Sequence, residues 1–272
     1  MLKPNCIIAT IAPEATLKSF HVRKFIEKKL RENIRTLLKN KKIKVELIEN
    51  VGSRFVISCE QPKDAFLALK KCFGIYGLSL AQKETLVELG EISEKAGEIS
   101  DFHDGSFAVK GKSYSTKFKS KQLEEECGGK ILEKNPKLKV NLSKPDNTLF
   151  CITSKTATYY YIEKVLGAKG MPVGSQGRVE IISPNEKLGW LLMKNGCSIT
   201  ADKKLDKLKE WNSLEEIKLT SIEKAKTLYT ERKITAFFTA ETNQTKIDEI
   251  SKKLGTKVFA PLILEKTKTP FD

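Results

Sequence analysis

An α+β N-terminal half followed by a small α/β domain on a parallel sheet is the architecture this sequence predicts. Three observations predict it. As far as Glu163, short apolar runs rich in β-branched and aromatic residues are mixed with amphipathic helical stripes. A glycine-rich break, Gly167-Ala-Lys-Gly-Met-Pro-Val-Gly-Ser-Gln-Gly-Arg178, then interrupts the pattern. Beyond it strand and helix patterns alternate, as they do in units that lay helices on a parallel sheet.

Taken in order, Cys6–Ile11 reads as a strand, with Thr16 or Ser19 available to cap the next helix. Val22, Phe25, Ile26, Leu30, Ile34, Leu37 and Leu38 recur mostly at steps of three and four, the stripe of a long helix whose other face is basic. Lys44–Ile48 and Arg54–Cys59 are strands joined by a Gly52-Ser53 turn. Ala65–Cys72 is a short helix and Tyr76–Leu80 a strand. Strand, helix, strand, strand, helix, strand is the order of a ferredoxin-like module, assigned here to residues 1–75.

Residues 76–170 form a second α+β module. Glu84–Ile99 and Leu123–Leu132 are its helices; Ser106–Lys110, Leu138–Leu142, Thr148–Thr153 and Thr158–Glu163 are its strands. Residues 171–272 form the α/β domain. Its strands are Val179–Ile182, Cys197–Thr200, Ile217–Leu219, Ile234–Thr239 and Val258–Leu264. Its helices are Asn185–Lys194, Lys203–Trp211, Ile222–Tyr229 and Thr245–Leu254, and Gly196 marks a helix end.

The formal charge of +15 is unevenly spread: residues 1–75 hold 16 basic and 7 acidic side chains, 76–170 hold 15 and 13, and 171–272 hold 18 and 14. An excess at one end suits a polyanion-binding face. A lysine-rich surface of another origin produces the same totals, since lysine outnumbers arginine 43 to 6. Between Gly105 and Lys121 stand Lys110, Lys112, Lys117, Lys119 and Lys121 with no acid, and Tyr114 and Phe118 lie among them. Ammonium groups displace counterions from a phosphate backbone and an aromatic ring stacks on an unpaired base, so this segment fits RNA as well as it fits a solvated loop. The Tyr159-Tyr160-Tyr161 run reads as sheet packing, because alternate strand residues face opposite sides.

Other classes find little support. No apolar run reaches the ~18 residues of a membrane span, and Cys6–Pro13 is short for a signal peptide. Six scattered cysteines without CxxC and only two histidines offer no metal site, and a reduced, cytoplasmic protein follows. Methyltransferase chemistry is disfavoured: no glycine-rich cofactor loop follows a strand.

Several segments carry a family resemblance. Glu14-Ala-Thr-Leu-Lys18 followed by Phe25, Ala68-Leu-Lys-Lys-Cys-Phe-Gly-Ile75, Phe107-Ala-Val-Lys110, Ser120-Lys-Gln-Leu-Glu124 with Gly128-Gly129, and Tyr161-Ile-Glu-Lys164 with the glycine-rich segment resemble the tRNA 4-thiouridine synthetases (tRNA sulfurtransferases) over residues 1–200. Lys169 stands where that family has the first glycine of a pair. The resemblance implies an N-terminal ferredoxin-like domain, a THUMP domain at 76–170 and a PP-loop domain. In the family the first two hold the acceptor end of tRNA. The third adenylates a uridine with ATP before a persulfide-bearing cysteine delivers sulfur.

The family's SGGxDS phosphate turn is replaced here by Ser183-Pro184-Asn185-Glu186-Lys187. Pro184 has no N–H to offer a phosphate, and Asn185 and Glu186 bring bulk and negative charge. Cys197, at a strand start, reads as packing. The expectation is therefore a tRNA-binding relative with a degenerate PP-loop, no catalytic or metal residues of its own and no cofactor, ATP being implied only by the family. RNA contacts are expected from Arg23, Arg54, Lys110, Lys112, Lys117, Lys119, Lys121 and Arg178, and the partner is a second copy or a separate catalytic subunit. The alternatives are an active ATP-dependent tRNA sulfurtransferase and a THUMP adaptor that presents tRNA to another modifying enzyme.

Overall fold

The structure is a computed structural model that describes residues 1–114, 117–211, 217–263 and 268–271. The chain divides into two compact units. The first is Met1–Thr10, Ile43–Leu67 and Gly77–Leu166; the second is Ile11–Lys42, Ala68–Tyr76 and Gly167–Asp272.

Up to Leu166 the strands are β1 (Cys6–Ile11), β2 (Val45–Val51), β3 (Arg54–Cys59), β4 (Ile75–Glu84), β5 (Ser106–Ser113), β6 (Lys139–Val140), β7 (Asn147–Thr153), β8 (Thr158–Tyr161) and β9 (Val165–Leu166). The helices are α1 (Pro13–Thr16), α2 (Phe20–Asn40), α3 (Pro62–Leu69), α4 (Leu89–Ile99) and α5 (Ser120–Lys134). Among the described residues the strands form one sheet in the order β2-β3-β1-β4-β8-β7-β5-β6, with β9 also on β4.

Period-two alternation divides the tyrosine run between two cores in the first unit. On one face Tyr160 joins Phe107, Val109, Leu149 and Cys151 against Ile92 and Ala96 of α4 and Leu123, Cys127 and Ile131 of α5. Its hydroxyl donates to the Ile92 carbonyl at 2.9 Å, so the buried phenol keeps a partner. On the other face Tyr159 and Tyr161 pack with Cys6, Ile8, Val51, Val56 and Ile152. All three rings are buried, as sheet packing requires.

In the second unit α2 buries Ile26, Leu30, Ile34, Leu37 and Leu38, whereas Val22 and Phe25, which the spacing placed in the same stripe, are exposed, because they stand at its edge near the start of the helix. Next come β10 (Arg178–Ile182), α6 (Glu186–Lys194), β11 (Ser198–Ala201), α7 (Ile222–Thr230), β12 (Ala236–Thr239), α8 (Gln244–Leu254) and β13 (Val258–Phe259). The strands pair in parallel in the order β11-β10-β12-β13. Phe73 and Trp190, both buried in this core, and the partly buried Trp211 form a triangle of rings with centroids 5.6–5.7 Å apart. The glycine-rich segment is tied down by backbone: Lys169 N donates to Ile75 O at 2.8 Å, Met171 N to Lys194 O at 2.8 Å and Gln176 N to Gly196 O at 3.0 Å.

Several elements differ from their sequence patterns. The helix expected over Lys203–Trp211 is only a 3₁₀ turn at Asp206–Leu208, because Leu205 and Leu208 turn into the core and Leu208 occupies the space a side chain at Gly189 would need. The strand expected over Val258–Leu264 stops at Phe259, where Pro261 opens another 3₁₀ turn; Leu264 lies outside the described residues. Ile217–Leu219 contributes one bridge, Ala201 to Leu219. Strand β4 runs through Glu84, so the helix expected from Glu84 begins at Leu89. The Leu138–Leu142 strand shortens to Lys139–Val140.

Candidate functional site

In the first unit the fold joins residues sixty positions apart. Arg54 opens β3 just after the turn at Gly52, whose φ is +63°. Its Nη1 donates to the Tyr114 hydroxyl at 3.2 Å. Tyr114 is held by its own backbone, N–H to Thr153 O at 2.9 Å, and its ring fills the space a Cβ on Gly52 would need. Burial pushes the neighbouring Tyr161 phenol up, against the pull of the Arg54 guanidinium.

Lys110 and Lys112 are exposed on β5, two residues apart and so on one face, in register with Phe150 and Ile152 of β7. In that row Phe150 stacks on Tyr161 at 4.8 Å and 6°. Lys117 pairs with Glu88. Lys119 precedes α5, its N–H bonded to Gln122 Oε1 at 2.8 Å, and Lys121 lies 3.6 Å from Glu125. Phe118 is 8% exposed and belongs to the core beneath α5, so it offers no face to a base. Its alternation among the lysines misleads because the chain turns there; Ser113 Oγ donates to its carbonyl at 2.9 Å. Ser115 and Thr116 lie outside the described residues.

In the second unit Arg23 pairs with Glu27 on α2 at 2.6 Å. Arg178 is exposed at the amino end of β10, whereas Ser183 follows its carboxyl end, so the strand's length separates them. The strand order reverses direction about β10, and such a sheet leaves a crevice outside its carboxyl ends. Ser183 sits there at φ +52°, a costly conformation for a residue with a Cβ. Its N–H donates to Asp202 Oδ2 at 3.2 Å, and its carbonyl accepts from Ala240 N at 3.4 Å. Asn185 caps α6 by accepting from Leu188 N at 2.8 Å, and Glu186 occupies the first turn.

Asn185, Glu186 and Lys187 line a cleft of about 860 Å³ with Lys71, Asp206, Lys207, Glu210, Trp211, Pro270 and Phe271. Three lysines face three carboxylates, and Lys71 is paired with Glu210. The cleft is therefore balanced in charge. The pattern around the loop did not reveal Lys71, Asp206, Lys207 or Glu210, which come from distant segments.

Beneath the loop Glu180 is fully buried on the central strand. Burial raises its pKa to about 7, a bond donated by Thr200 opposes the rise, and nearby Asp202 adds to it. A carboxylate inside an otherwise apolar strand was the readable signal for this residue. Cys197 is half-buried and its thiol is pushed up by burial, so it is a poor nucleophile. Among the described residues no cluster of three or more His, Cys, Asp or Glu side chains could hold a metal ion, and no helix is long and apolar enough to cross a membrane.

This combination of modules defines a class. The ThiI ferredoxin-like domain family matches residues 12–79 and the THUMP domain family matches residues 88–163, so this is a THUMP-domain protein. The chain is 31% identical over 209 residues to a probable tRNA sulfurtransferase of Methanosarcina acetivorans, covering 73% of this chain and 50% of that one. It is 32% identical over 198 residues to that of Bacillus pumilus, covering 69% and 49%. The chain thus spans about half the length of the curated relatives it matches. Among solved structures the fold is similar to PH1313 from Pyrococcus horikoshii, with TM-score 0.82, 23% identity and coverage of 96% and 95%. It is also similar to a 4-thiouridine synthetase solved as an RNA complex with bound ATP, with TM-score 0.68, 20% identity and coverage of 96% and 81%. The chain belongs to the tRNA sulfurtransferase family of THUMP proteins.

Proposed function

We propose that this chain binds tRNA and serves tRNA modification in the cytoplasm as a binding or partner subunit, without adenylating the RNA itself. The observation that carries the second half is the end of α6. A phosphate-binding turn needs free backbone N–H groups at a helix N-terminus. Here Pro184 has none, Asn185 Oδ1 already takes the Leu188 N–H at 2.8 Å, and Glu186 adds an anion to the first turn. The balanced lining of the cleft gives a triphosphate no net attraction. These residues do not fit ATP.

The binding half rests on family membership and on the surface formed by Arg54, Lys110, Lys112, Lys117, Lys119 and Lys121, with Arg23 and Arg178 as further contacts in the second unit. A separate catalytic subunit would complete the reaction; a second copy of the chain is the other partner expected, as a dimer that enlarges the binding surface. An adaptor role toward another modifying enzyme uses the same surface. One observation favours an active sulfurtransferase instead: a cleft of about 860 Å³ at the sheet's carboxyl end has the volume of a ligand site.

Filter binding with unmodified tRNA across a salt series tests the proposal. Affinity that falls steeply with salt supports it; affinity indifferent to salt, or no binding, overturns it.

A further inference from the structure

Two acids at the carboxyl end of the parallel sheet are each held by one oxygen and free at the other. Glu180 of β10 is fully buried; its Oε2 accepts from the Thr200 hydroxyl, and its buried Oε1 has no partner. Asp202 follows β11; its Oδ2 accepts from the Ser183 N–H at 3.2 Å, and its buried Oδ1 has no partner either. Glu180 stands in register with Thr200, and Asp202 lies two residues beyond Thr200, so both side chains leave the same face of neighbouring strands. The Asp202 N–H donates to Ile181 O at 3.3 Å, which carries the pairing to the end of the ladder. Asp202 is near enough to help raise the Glu180 pKa. Among the described residues no lysine, arginine or histidine pairs with either acid.

Buried carboxylates without a counter-charge are costly, and the free oxygens say what relieves them. Carboxylates that ligate a metal are fixed from outside by a hydrogen bond on one oxygen, which leaves the other to meet the ion. Glu180 and Asp202 share that arrangement. A proton held between them leaves one negative charge inside the sheet, whereas a divalent cation cancels both. Hard cations take oxygen ligands, and Mg²⁺ is held by only one or two carboxylates while keeping several waters. Two acids therefore suffice, and Asp202 and Ser183 are half-buried at the crevice from which water and the ion arrive.

We infer that Glu180 Oε1 and Asp202 Oδ1 bind one divalent, oxygen-preferring cation of the Mg²⁺ or Mn²⁺ kind, which fastens the ends of β10 and β11 beneath Ser183. The Thr200 hydroxyl and the Ser183 N–H position the two ligands. The site needs neither tRNA nor a nucleotide, so it stands apart from the proposed function.

The test is thermal unfolding of the full chain at pH 8, stripped with chelator and then titrated with MgCl₂ or MnCl₂ at constant ionic strength. At about a hundred times the dissociation constant the wild-type midpoint should rise by about 5 °C. Glu180→Gln and Asp202→Asn, which keep the shape of each side chain, should each lose the rise. Stripped, Glu180→Gln should melt no lower than the wild type, because it removes an uncompensated buried charge; with the cation the order should reverse. Electron paramagnetic resonance of added Mn²⁺ should show one held ion in the wild type and none in either variant, a reading independent of stability. No rise and no held Mn²⁺ in the wild type overturns the inference. So does a rise that both variants keep, which places the ion elsewhere, or an equal rise with NaCl in place of the divalent salt. Stabilisation by acid alone, with no response to either cation, assigns the pair to a shared proton and overturns it too. A wild type that holds Mn²⁺ but no tRNA supports this inference while the proposed function falls.

Discussion

Arg54 Nη1 donates to the Tyr114 hydroxyl across 3.2 Å. Arg54 lies within the ferredoxin-like match and Tyr114 within the THUMP match, so this bond joins the two modules inside one compact unit. It places the tip of the β2–β3 hairpin beside the lysine-bearing end of β5. The basic surface proposed for tRNA is therefore built from both modules.

Gly52 makes that junction possible. Its φ of +63° disfavours any other residue, and the Tyr114 phenol lies where a Cβ would go. Gly52→Ala should cost about 1–2 kcal/mol in urea unfolding and displace Tyr114. Because Arg54 loses its partner as well, tRNA affinity in filter binding should fall along with stability.

The five lysines of the segment should contribute unequally. Lys117 already holds Glu88 and Lys121 lies near Glu125, whereas among the described residues no carboxylate pairs with Lys110 or Lys112. Lys110→Gln/Lys112→Gln should lower the slope of log affinity against log salt by about 1.8. Lys117→Gln/Lys121→Gln should lower it by less, because part of each charge is spent on its neighbour. Salt-series titrations of the two variants side by side check the order.

Glu180 should make stability depend on pH. Its pKa rises from an ordinary 4.5 to about 7, so between those values the folded chain holds a proton that the unfolded chain has released. Its contribution is present in full below pH 4.5, declines as pH rises through that window and is lost above about 7. Glu180→Gln removes the dependence. It should be the more stable form at pH 8, by at most about 3 kcal/mol, with the advantage fading toward pH 5. Urea unfolding of both proteins across that range reads the difference.

Lys169 has a φ of +60°, in the left-handed region that favours glycine. Lys169→Gly relieves that strain and should stabilise the folded chain by about 0.5–1 kcal/mol, net of the greater freedom glycine gives the unfolded chain. A rise in the denaturant midpoint at unchanged slope is the expected readout.

The sequence was most readable where periodicity is enforced by burial on one face. From Ile26 onward the stripe of α2, and the alternating rings of Tyr159–Tyr161, follow local rules and the structure keeps them, whereas Val22 and Phe25 at the start of that stripe are exposed. It was least readable where a few large side chains override local pattern. Lys203–Trp211 has the spacing of a helix, yet Leu205 and Leu208 are drawn into a core assembled from distant residues. Phe118 failed as a stacking residue for the same reason: its surroundings are set by α4 and α5, not by the lysines beside it. The Arg54–Tyr114 bond and the carboxylates facing Lys187 depend on chain crossings that no single window contains.

The central claim is that this protein holds tRNA without adenylating it. Its most direct test is to incubate the purified chain with unmodified tRNA and labelled ATP while measuring pyrophosphate release. The tRNA should be retained on the protein, with no pyrophosphate above background at any ATP concentration tried. Release of one or more equivalents of pyrophosphate per chain, dependent on tRNA, would contradict it and show that the turn from Ser183 to Lys187 still handles a nucleotide.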